Sequence, residues 1–295
     1  MTKNQNHNKI MDKELLQIKS PLRYPGGKSK ALKKIIPIIS EVNHFEEFRE
    51  PMVGGGSIFF AVKQIFPNKK YWINDINKDL CLFYEIYRDK PTKLIKEIKK
   101  IKSASMRGKE LYYNLIKNKG TSSLQKAARF FVLNRITFSG LTEAGGYSEE
   151  AYMKRFTPSS VERLTKASFL MKTVKITNKD YSEVINKKGK NVFIFLDPPY
   201  MSNAKSKLYG KRGCYHEGFD HTALVKIMKK CNHNWLITYD DTKEVRKLYS
   251  FAHIYKWKLQ YAMNNHNGNS PSKGKELFIC NFKIPKEIRK LFIQI

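Results

Sequence analysis

The sequence predicts an α/β fold with a doubly wound sheet and a mainly helical insertion. Between residues 45 and 75 the pattern runs strand, glycine turn, helix and strand (EEFREP, MVGGGS, IFFAVKQIF, YWIND), as in an α/β unit. The run NVFIFL at residues 191–196 is apolar and β-rich, which is typical of a central parallel strand covered on both faces. Further strands are predicted at MKTVKIT, NWLITY, HIYKWKLQYAM and KELFICNF.

The same patterns divide the chain of 295 residues into three parts. Residues 1–19 are polar and are predicted to form a flexible tail. Residues 20–90 and 166–295 carry the strand signals and form the sheet domain. Helical periodicity dominates residues 91–165, which are predicted to be an inserted helical subdomain.

The charge of the chain is strongly unbalanced. Lys and Arg number 56 against 26 Asp and Glu, a net charge of +30. This excess favours a polyanionic partner whose counterions are released on binding; the alternative is a lysine-rich solvated surface. No apolar run is long enough to cross a bilayer, and the first residues, MTKNQNHNKI, lack the apolar segment of a secretory signal.

Cysteine and histidine spacing argues against a metal site. The four cysteines are widely scattered: Cys81, Cys214, Cys231 and Cys280. The histidines, among them His7, His216 and His221, also lack metal-ligand spacing. We therefore predict no metal site and no disulfide framework, and a location in the reducing cytoplasm.

The stretch YPGGKSK, residues 24–30, resembles the end of a nucleotide-binding P-loop. The pattern GxxxxGK[ST] requires a glycine at position 22, where this chain has Leu22, and the stretch follows SPLR rather than an apolar strand. It is therefore expected to hold a ligand other than a phosphate, or to be a turn before a helix.

A second glycine cluster, residues 54–56, follows a strand and opens a helix, and Asp75 lies 19 residues after Gly56. Glycines allow close backbone approach, and an acid about 20 residues further on can hold ribose hydroxyls. Glu50 and Asp75 place negative charge near this turn. An adenosine cofactor carrying a positive sulfonium therefore fits better than one carrying a pyrophosphate.

The tetrapeptide DPPY, residues 197–200, directly follows the apolar strand NVFIFL. The two prolines stiffen the turn and remove two backbone donors, so that nearby carbonyl groups remain free to accept hydrogen bonds. Asp197 adds a carboxylate and Tyr200 a flat ring for stacking. This combination suits the binding of a planar amine at the carboxyl end of a central strand; the alternative is a proline-rich strand exit.

With these motifs in this order, residues 20–282 resemble the Dam-type, alpha-class adenine-N6 DNA methyltransferases. SPLRYPGGK resembles the N-terminal cofactor motif, EPMVGGGSIF the glycine motif, NDINKDL the segment with the ribose-binding acid, and DPPY the catalytic motif. LNRITFSGL, LITYDDT and KGKELF resemble the Asn-Arg helix, a later core strand and the final hairpin.

The resemblance implies S-adenosyl-L-methionine as the cofactor and transfer of its methyl group to N6 of an adenine flipped out of double-stranded DNA. The cofactor-binding residues would be Tyr24, Lys28, Gly54, Gly56, Asp75 and Asp197. The catalytic residues would be Asp197, Pro198, Pro199 and Tyr200. Lys28 would lie near the methionyl end and is able to pair with a carboxylate.

Base reading is predicted around residues 134–154, inside the insertion, which would be the target-recognition subdomain. The predicted DNA-binding residues are Asn134, Arg135, Lys154 and Arg155, and basic helices between residues 93 and 107 would add affinity. The chain departs from GATC-specific members, because TEAGGYSEEAY replaces their basic, Asn-containing run. GATC is therefore not predicted as the target.

Three other functions stay open on the sequence. Cytosine-N4 methyltransferases use the same geometry, although Ser more often replaces the acid of DPPY in them. A methyltransferase acting on adenine in structured RNA and a DNA-binding module without activity are the other two. The resemblance also implies a restriction-modification system, with a cognate restriction endonuclease as a partner, or an orphan methylase.

Overall fold

The computed structural model describes residues 18–42, 44–104, 107–201, 219–260, 273–290 and 292–294. These residues form one eight-stranded sheet. The strands are β1 (Glu47–Glu50), β2 (Lys70–Asn74), β3 (Lys175–Thr177), β4 (Val192–Leu196), β5 (Asn234–Asp240), β6 (His253–Gln260), β7 (Lys273–Cys280) and β8 (Ile293–Gln294). Their order across the sheet is β3-β2-β1-β4-β5-β7-β6-β8.

The helices lie between these strands. They are α1 (Leu32–Glu41), α2 (Ser57–Ile65), α3 (Lys78–Asp89), α4 (Pro91–Ser103), α5 (Gly108–Lys117), α6 (Ser123–Ile136), α7 (Glu149–Arg155), α8 (Pro158–Ala167), α9 (Tyr181–Asn186), α10 (His221–Lys230), α11 (Lys243–Leu248) and α12 (Lys286–Arg289). Short 3-10 helices occur at Lys28–Lys30, Phe138–Gly140 and Ser168–Met171.

The centre of the sheet contains the reversal in strand order that marks a ligand site. Strands β3, β2, β1, β4 and β5 pair in parallel, whereas β7, β6 and β8 continue the sheet in antiparallel fashion. The chain moves outward from β1 to β3 and then returns to place β4 beside β1. Ligands of open α/β sheets bind outside the carboxyl ends of the strands at such a point. The segments that follow Glu50 and Leu196 are therefore neighbours.

Strand β4 shows why this sequence forms a central strand. All five of its residues are buried, and successive side chains of a strand point to opposite faces. Phe193 packs on one face, where its ring stacks on Phe48 with centroids 6.2 Å apart. Ile194 and Leu196 belong to a second hydrophobic cluster on the other face. The predicted doubly wound α/β fold is confirmed.

Residues 91–165 are mainly helical, as predicted. Helix α6 begins at a capping box formed by Ser122 and Gln125 and packs against α3, α4 and α5. Its residue Phe131 and residue Ile98 of α4 belong to the same hydrophobic cluster as Phe48 of the sheet. The helical layer therefore shares a core with the sheet, and its role as a separate target-recognition subdomain stays a prediction.

Some sequence predictions fall outside the described residues. These are most of the tail (residues 1–17), His7, Cys214, His216 and the end of the predicted strand HIYKWKLQYAM (residues 261–263). Among the described helices, none combines the length and the apolar character needed to cross a membrane.

Candidate active site

The glycine turn after β1 forms one wall of the site. Gly54 and Gly56 have φ angles of +46° and +69°, which L side chains rarely adopt. A Cβ on Gly54 would lie 2.8 Å from the ring of Tyr24. The Tyr84 hydroxyl donates a hydrogen bond to the Gly54 carbonyl at 2.9 Å. The YPGGKSK segment therefore packs its aromatic side chain directly against the glycine turn.

Asp75 ties the glycine turn to the end of β2. One carboxylate oxygen accepts a hydrogen bond from the Gly54 N–H at 2.9 Å, and the other accepts one from the Asn77 N–H at 3.0 Å. Burial raises the pKa of Asp75, and the backbone hydrogen bonds oppose that rise. Since a carboxylate offers about four acceptor sites, Asp75 keeps capacity for ligand hydroxyls.

Asp197 occupies the carboxyl end of β4, beside the glycine turn. Its Oδ1 accepts a hydrogen bond from the Thr238 hydroxyl at 2.6 Å and pairs with the Lys28 Nζ at 2.8 Å. Its side chain is 23% exposed, whereas that of Lys28 is 3% exposed. Lys28 also donates to the Gly26 carbonyl at 3.0 Å. In this structure Lys28 thus pairs with a carboxylate of the protein itself.

Tyr200, at the other end of DPPY, is half-buried. Its hydroxyl donates to Glu276 Oε2 at 2.6 Å, and its ring stacks on Tyr239 with centroids 6.0 Å apart and planes at 29°. The Lys28 Nζ lies 4.8 Å from the centre of the Tyr200 ring. Between the two ends, Pro198 is buried and Pro199 is half-buried. Lys28 therefore bridges the carboxylate and the ring of DPPY.

Two further buried carboxyl groups surround this cluster. Burial raises the pKa of Glu50 well above its usual range, and the charges of Asp197 and Asp75 add to the rise. Burial likewise raises the pKa of Glu276 to about 7. Within the described part of the chain, Glu50 Oε2 and Glu276 Oε1 have no hydrogen-bond partner. The site is thus rich in buried acceptors and suits a cationic ligand with several donors.

Two of the residues predicted to bind DNA are buried in this structure. Asn134 is 1% exposed and Arg135 is 3% exposed. The Asn134 side chain accepts from the Arg23 N–H at 2.9 Å and donates to the carbonyls of Arg23 at 2.7 Å and Gly140 at 2.9 Å. Arg135 donates to the carbonyl of Pro21. The prediction that these two side chains contact DNA directly is therefore wrong. Their polar groups instead hold the segment that leads to Tyr24 in position.

The other two predicted DNA-binding residues are exposed. Lys154 pairs with Glu150 at 3.2 Å on α7, and Arg155 ends the same helix. Burial lowers the pKa of Arg135 to about 9, and the charges of Arg163, Arg23 and Arg155 add to the lowering. Arg135 nevertheless stays charged at neutral pH, so four arginines concentrate positive charge where α6, α7 and α8 meet residues 21–23.

Comparison with known proteins identifies the family. Residues 24–263 match the family described as D12 class N6 adenine-specific DNA methyltransferase. This match covers most of the 295 residues. The chain belongs to this family. It is an adenine-specific DNA methyltransferase, and the resemblance seen in its motifs is confirmed.

Several curated proteins are similar to the methyltransferase along most of their length. The type II methyltransferase M.MjaIII of Methanocaldococcus jannaschii is 29% identical over 233 residues, covering 73% of this chain and 81% of the relative. A DNA adenine methylase of Vibrio cholerae is 27% identical over 275 residues, covering 87% and 93%. The type II methyltransferase M1.LlaDCHI of Lactococcus lactis subsp. cremoris is 23% identical over 293 residues, covering 92% and 99%.

Family membership decides between the functions that the sequence left open. Adenine specificity excludes the cytosine-N4 alternative, and a DNA methyltransferase is neither an RNA-specific enzyme nor a silent binding module. Within the methyltransferase, sequence reasoning missed Thr238 and Glu276, which touch the two ends of DPPY. The available signal for Glu276 was an acidic residue directly before the apolar run LFIC of this strand.

Proposed function

We propose that the methyltransferase uses S-adenosyl-L-methionine to methylate N6 of an adenine that has been flipped out of double-stranded DNA. The observation that carries the proposal is the placement of Asp197. It lies at the carboxyl end of β4, ion-paired with Lys28 at 2.8 Å, and β4 pairs directly with the strand that leads into the glycine turn. A methyl donor and an amine bound at this point would lie side by side.

The residues around the glycine turn fit S-adenosyl-L-methionine. Its sulfonium and α-amino groups are cationic, and Glu50 supplies a buried carboxyl oxygen that has no hydrogen-bond partner in the described part of the chain. Asp75 would hold the ribose hydroxyls, and the glycine turn with the Tyr24 ring packed on it would form one wall of the cofactor site. Bound there, the cofactor supplies an electrophilic methyl group.

Asp197 and Pro198 would orient the amine. The Asp197 carboxylate and the Pro198 carbonyl would each accept a hydrogen bond from the N6 amino group. These two bonds draw the nitrogen lone pair out of conjugation with the ring and direct it at the methyl carbon. Catalysis then comes mainly from positioning and electrostatics, with no covalent base adduct. Lys28 and Thr238 hold the carboxylate in place.

Tyr200 would stack on the flipped base. An amine inside a duplex is out of reach, so its nucleotide must be extruded, which costs a few kcal/mol of unstacking and unpairing. Stacking on an aromatic side chain returns about 1–3 kcal/mol per base. The Tyr200 ring is suited to this because Tyr239 supports it from behind.

DNA would bind across residues 91–165, in the role of a target-recognition subdomain. The exposed Lys154 and Arg155 would contact phosphates together with Arg23, which lies half-buried near them. Phe138, which is 58% exposed in the predicted reading loop, is placed to stack on a base. A surface of this charge binds nucleic acid with a strong dependence on salt concentration.

A restriction-modification role is the proposed biological setting. The relatives of Methanocaldococcus jannaschii and Lactococcus lactis are named type II methyltransferases. We extend this setting to the present chain, with a cognate restriction endonuclease as the partner.

The proposal is tested with purified protein, radiolabelled S-adenosyl-L-methionine and plasmid DNA, followed by digestion to nucleosides. We expect the label in N6-methyldeoxyadenosine. Asp197→Ala should abolish transfer, whereas the matched control Asp79→Ala, at an exposed position of α3, should keep the wild-type rate. Full activity of Asp197→Ala, or label in deoxycytidine, would contradict the proposal.

A further inference from the structure

Glu276 is a buried acid to which the proposed chemistry gives no task. Its side chain is 1% exposed, although burying a carboxylate costs free energy unless it is well paired. Its Oε2 accepts the hydrogen bond of the Tyr200 hydroxyl at 2.6 Å. The Lys28 ammonium, which lies 4.8 Å from the Tyr200 ring centre, also favours its ionised form.

The sheet holds both ends of DPPY. On β5, Thr238 donates to Asp197 at 2.6 Å. On the adjacent strand β7, Glu276 accepts from Tyr200 at 2.6 Å. The two strands are in antiparallel register, with Asp240 opposite Glu276. Thus the carboxylate and the ring of the motif are anchored to neighbouring strands of one rigid sheet.

We propose that Glu276 is a positioning residue whose carboxylate fixes the angle of the Tyr200 ring and thereby of the adenine stacked on it. The inference rests on the proposed function, in which Tyr200 stacks on the base. Tyr239 supports one face of the ring but leaves it free to slide in its own plane. The hydrogen bond to Glu276 removes that freedom, because it fixes the position of the hydroxyl.

This bond depends on the ionisation of Glu276. Burial raises the pKa of Glu276 to about 7; Lys28 and the Tyr200 hydrogen bond oppose the rise, and Asp197 and Asp240 add to it. Hydrogen bonds to an ionised acceptor are about twice as strong as neutral ones. The hydrogen bond that fixes the Tyr200 hydroxyl is therefore weaker below about pH 7, where Glu276 is protonated, and reaches its full strength above that pH.

The test is the pH profile of the single-turnover methylation rate on plasmid DNA at saturating S-adenosyl-L-methionine. Between about pH 6 and about pH 8 we expect the wild-type rate to rise about fivefold as Glu276 ionises. Glu276→Gln, a neutral acceptor at every pH, should lose this rise and stay near the low-pH value. Tyr200→Phe, which keeps the ring, should be equally flat, and the double variant should be no slower than either single variant.

Two controls separate positioning from general destabilisation. Tyr71→Phe removes a buried hydroxyl that donates to the Phe66 carbonyl at 2.7 Å, remote from the site, and should keep the wild-type pH profile. DNA affinity at constant salt should be unchanged in Glu276→Gln and Tyr200→Phe, since phosphate contacts dominate it. If Glu276→Gln fails to fold, Tyr200→Phe alone decides the question.

The outcomes also separate this inference from the proposed function. Activity of Asp197→Ala would overturn both. An inactive Asp197→Ala together with a wild-type pH profile in Tyr200→Phe or Glu276→Gln would overturn the positioning role alone. Thermal unfolding adds a second readout. Because the folded-state pKa of Glu276 is raised, Glu276 contributes a loss of wild-type stability as pH rises through about 7. Glu276→Gln should remove that part of the loss and leave the part that comes from Glu50 and Asp75, whose pKa values are also raised.

Discussion

The substitution Thr238→Val isolates one hydrogen bond to the Asp197 carboxylate, to which we assign the orientation of the amine. Thr238 has 0% exposure, and its hydroxyl donates to Asp197 Oδ1 at 2.6 Å. Valine keeps the β-branched shape that suits a central strand but offers no donor. A hydrogen bond to a charged group contributes about 1.5–3 kcal/mol, which corresponds to roughly 10- to 150-fold in rate.

The structure favours the lower end of this range. The ion pair with Lys28 at 2.8 Å survives the substitution, and the Asp197 side chain, at 23% exposure, can recover part of the lost bond from water. We therefore expect Thr238→Val to reduce the single-turnover methylation rate about tenfold. DNA affinity should not change.

The assay is rapid-quench transfer of label with enzyme in excess over DNA. The control is Thr242→Ala. This change removes the hydrogen bond that the side chain of Thr242, the N-cap residue of α11, accepts from the Val245 N–H. It should cost about 1 kcal/mol of stability and leave the rate at the wild-type value. A wild-type rate in a folded Thr238→Val protein would show that Thr238 does not position Asp197.

Three further predictions concern the glycine turn, the buried side chain of Asn134 and the proposed DNA-binding residues. Gly54→Ala forces a Cβ to 2.8 Å from the Tyr24 ring and should weaken S-adenosyl-L-methionine binding at least about tenfold, measured by calorimetry; unchanged affinity would argue against a cofactor role for this turn. Asn134→Ala leaves buried backbone groups unpaired and should lower the free energy of unfolding by about 2–4 kcal/mol. Urea denaturation measures this loss, and a loss below about 1 kcal/mol would contradict the positioning role of Asn134. The double variant Lys154→Ala/Arg155→Ala should lower the slope of log affinity against log salt by about 2, measured by fluorescence anisotropy; an unchanged slope would remove these residues from the DNA interface.

The order of motifs along the chain was enough to predict the fold and the strand end at which the proposed site lies. Residues 192–196 of NVFIFL are all apolar, which favours a fully buried central strand, and DPPY follows them directly. Since strand ends in α/β sheets are ligand sites, the association of Asp197 with the glycine turn and Asp75 was predictable. The helical character of residues 91–165 was equally evident from periodicity.

The Asn-Arg pair in α6 shows where sequence reasoning failed. Both side chains are polar and lie in a segment that resembles a DNA-reading region, so exposure was expected. Burial depends on what packs over a helix, and here residues 21–23, more than 100 positions earlier in the chain, cover Asn134 and Arg135. The composition of α6 alone does not indicate that a distant segment packs over it.

Local pattern thus determined strands β1 to β7, the helical character of residues 91–165 and the position of the DPPY tetrapeptide, because these depend on residues close together in the chain. The partners of that tetrapeptide depended on strand order and register instead. Glu276 is 76 positions from Tyr200, and Thr238 is 41 positions from Asp197. They meet because β4, β5 and β7 lie side by side, an arrangement set by the packing of the entire sheet.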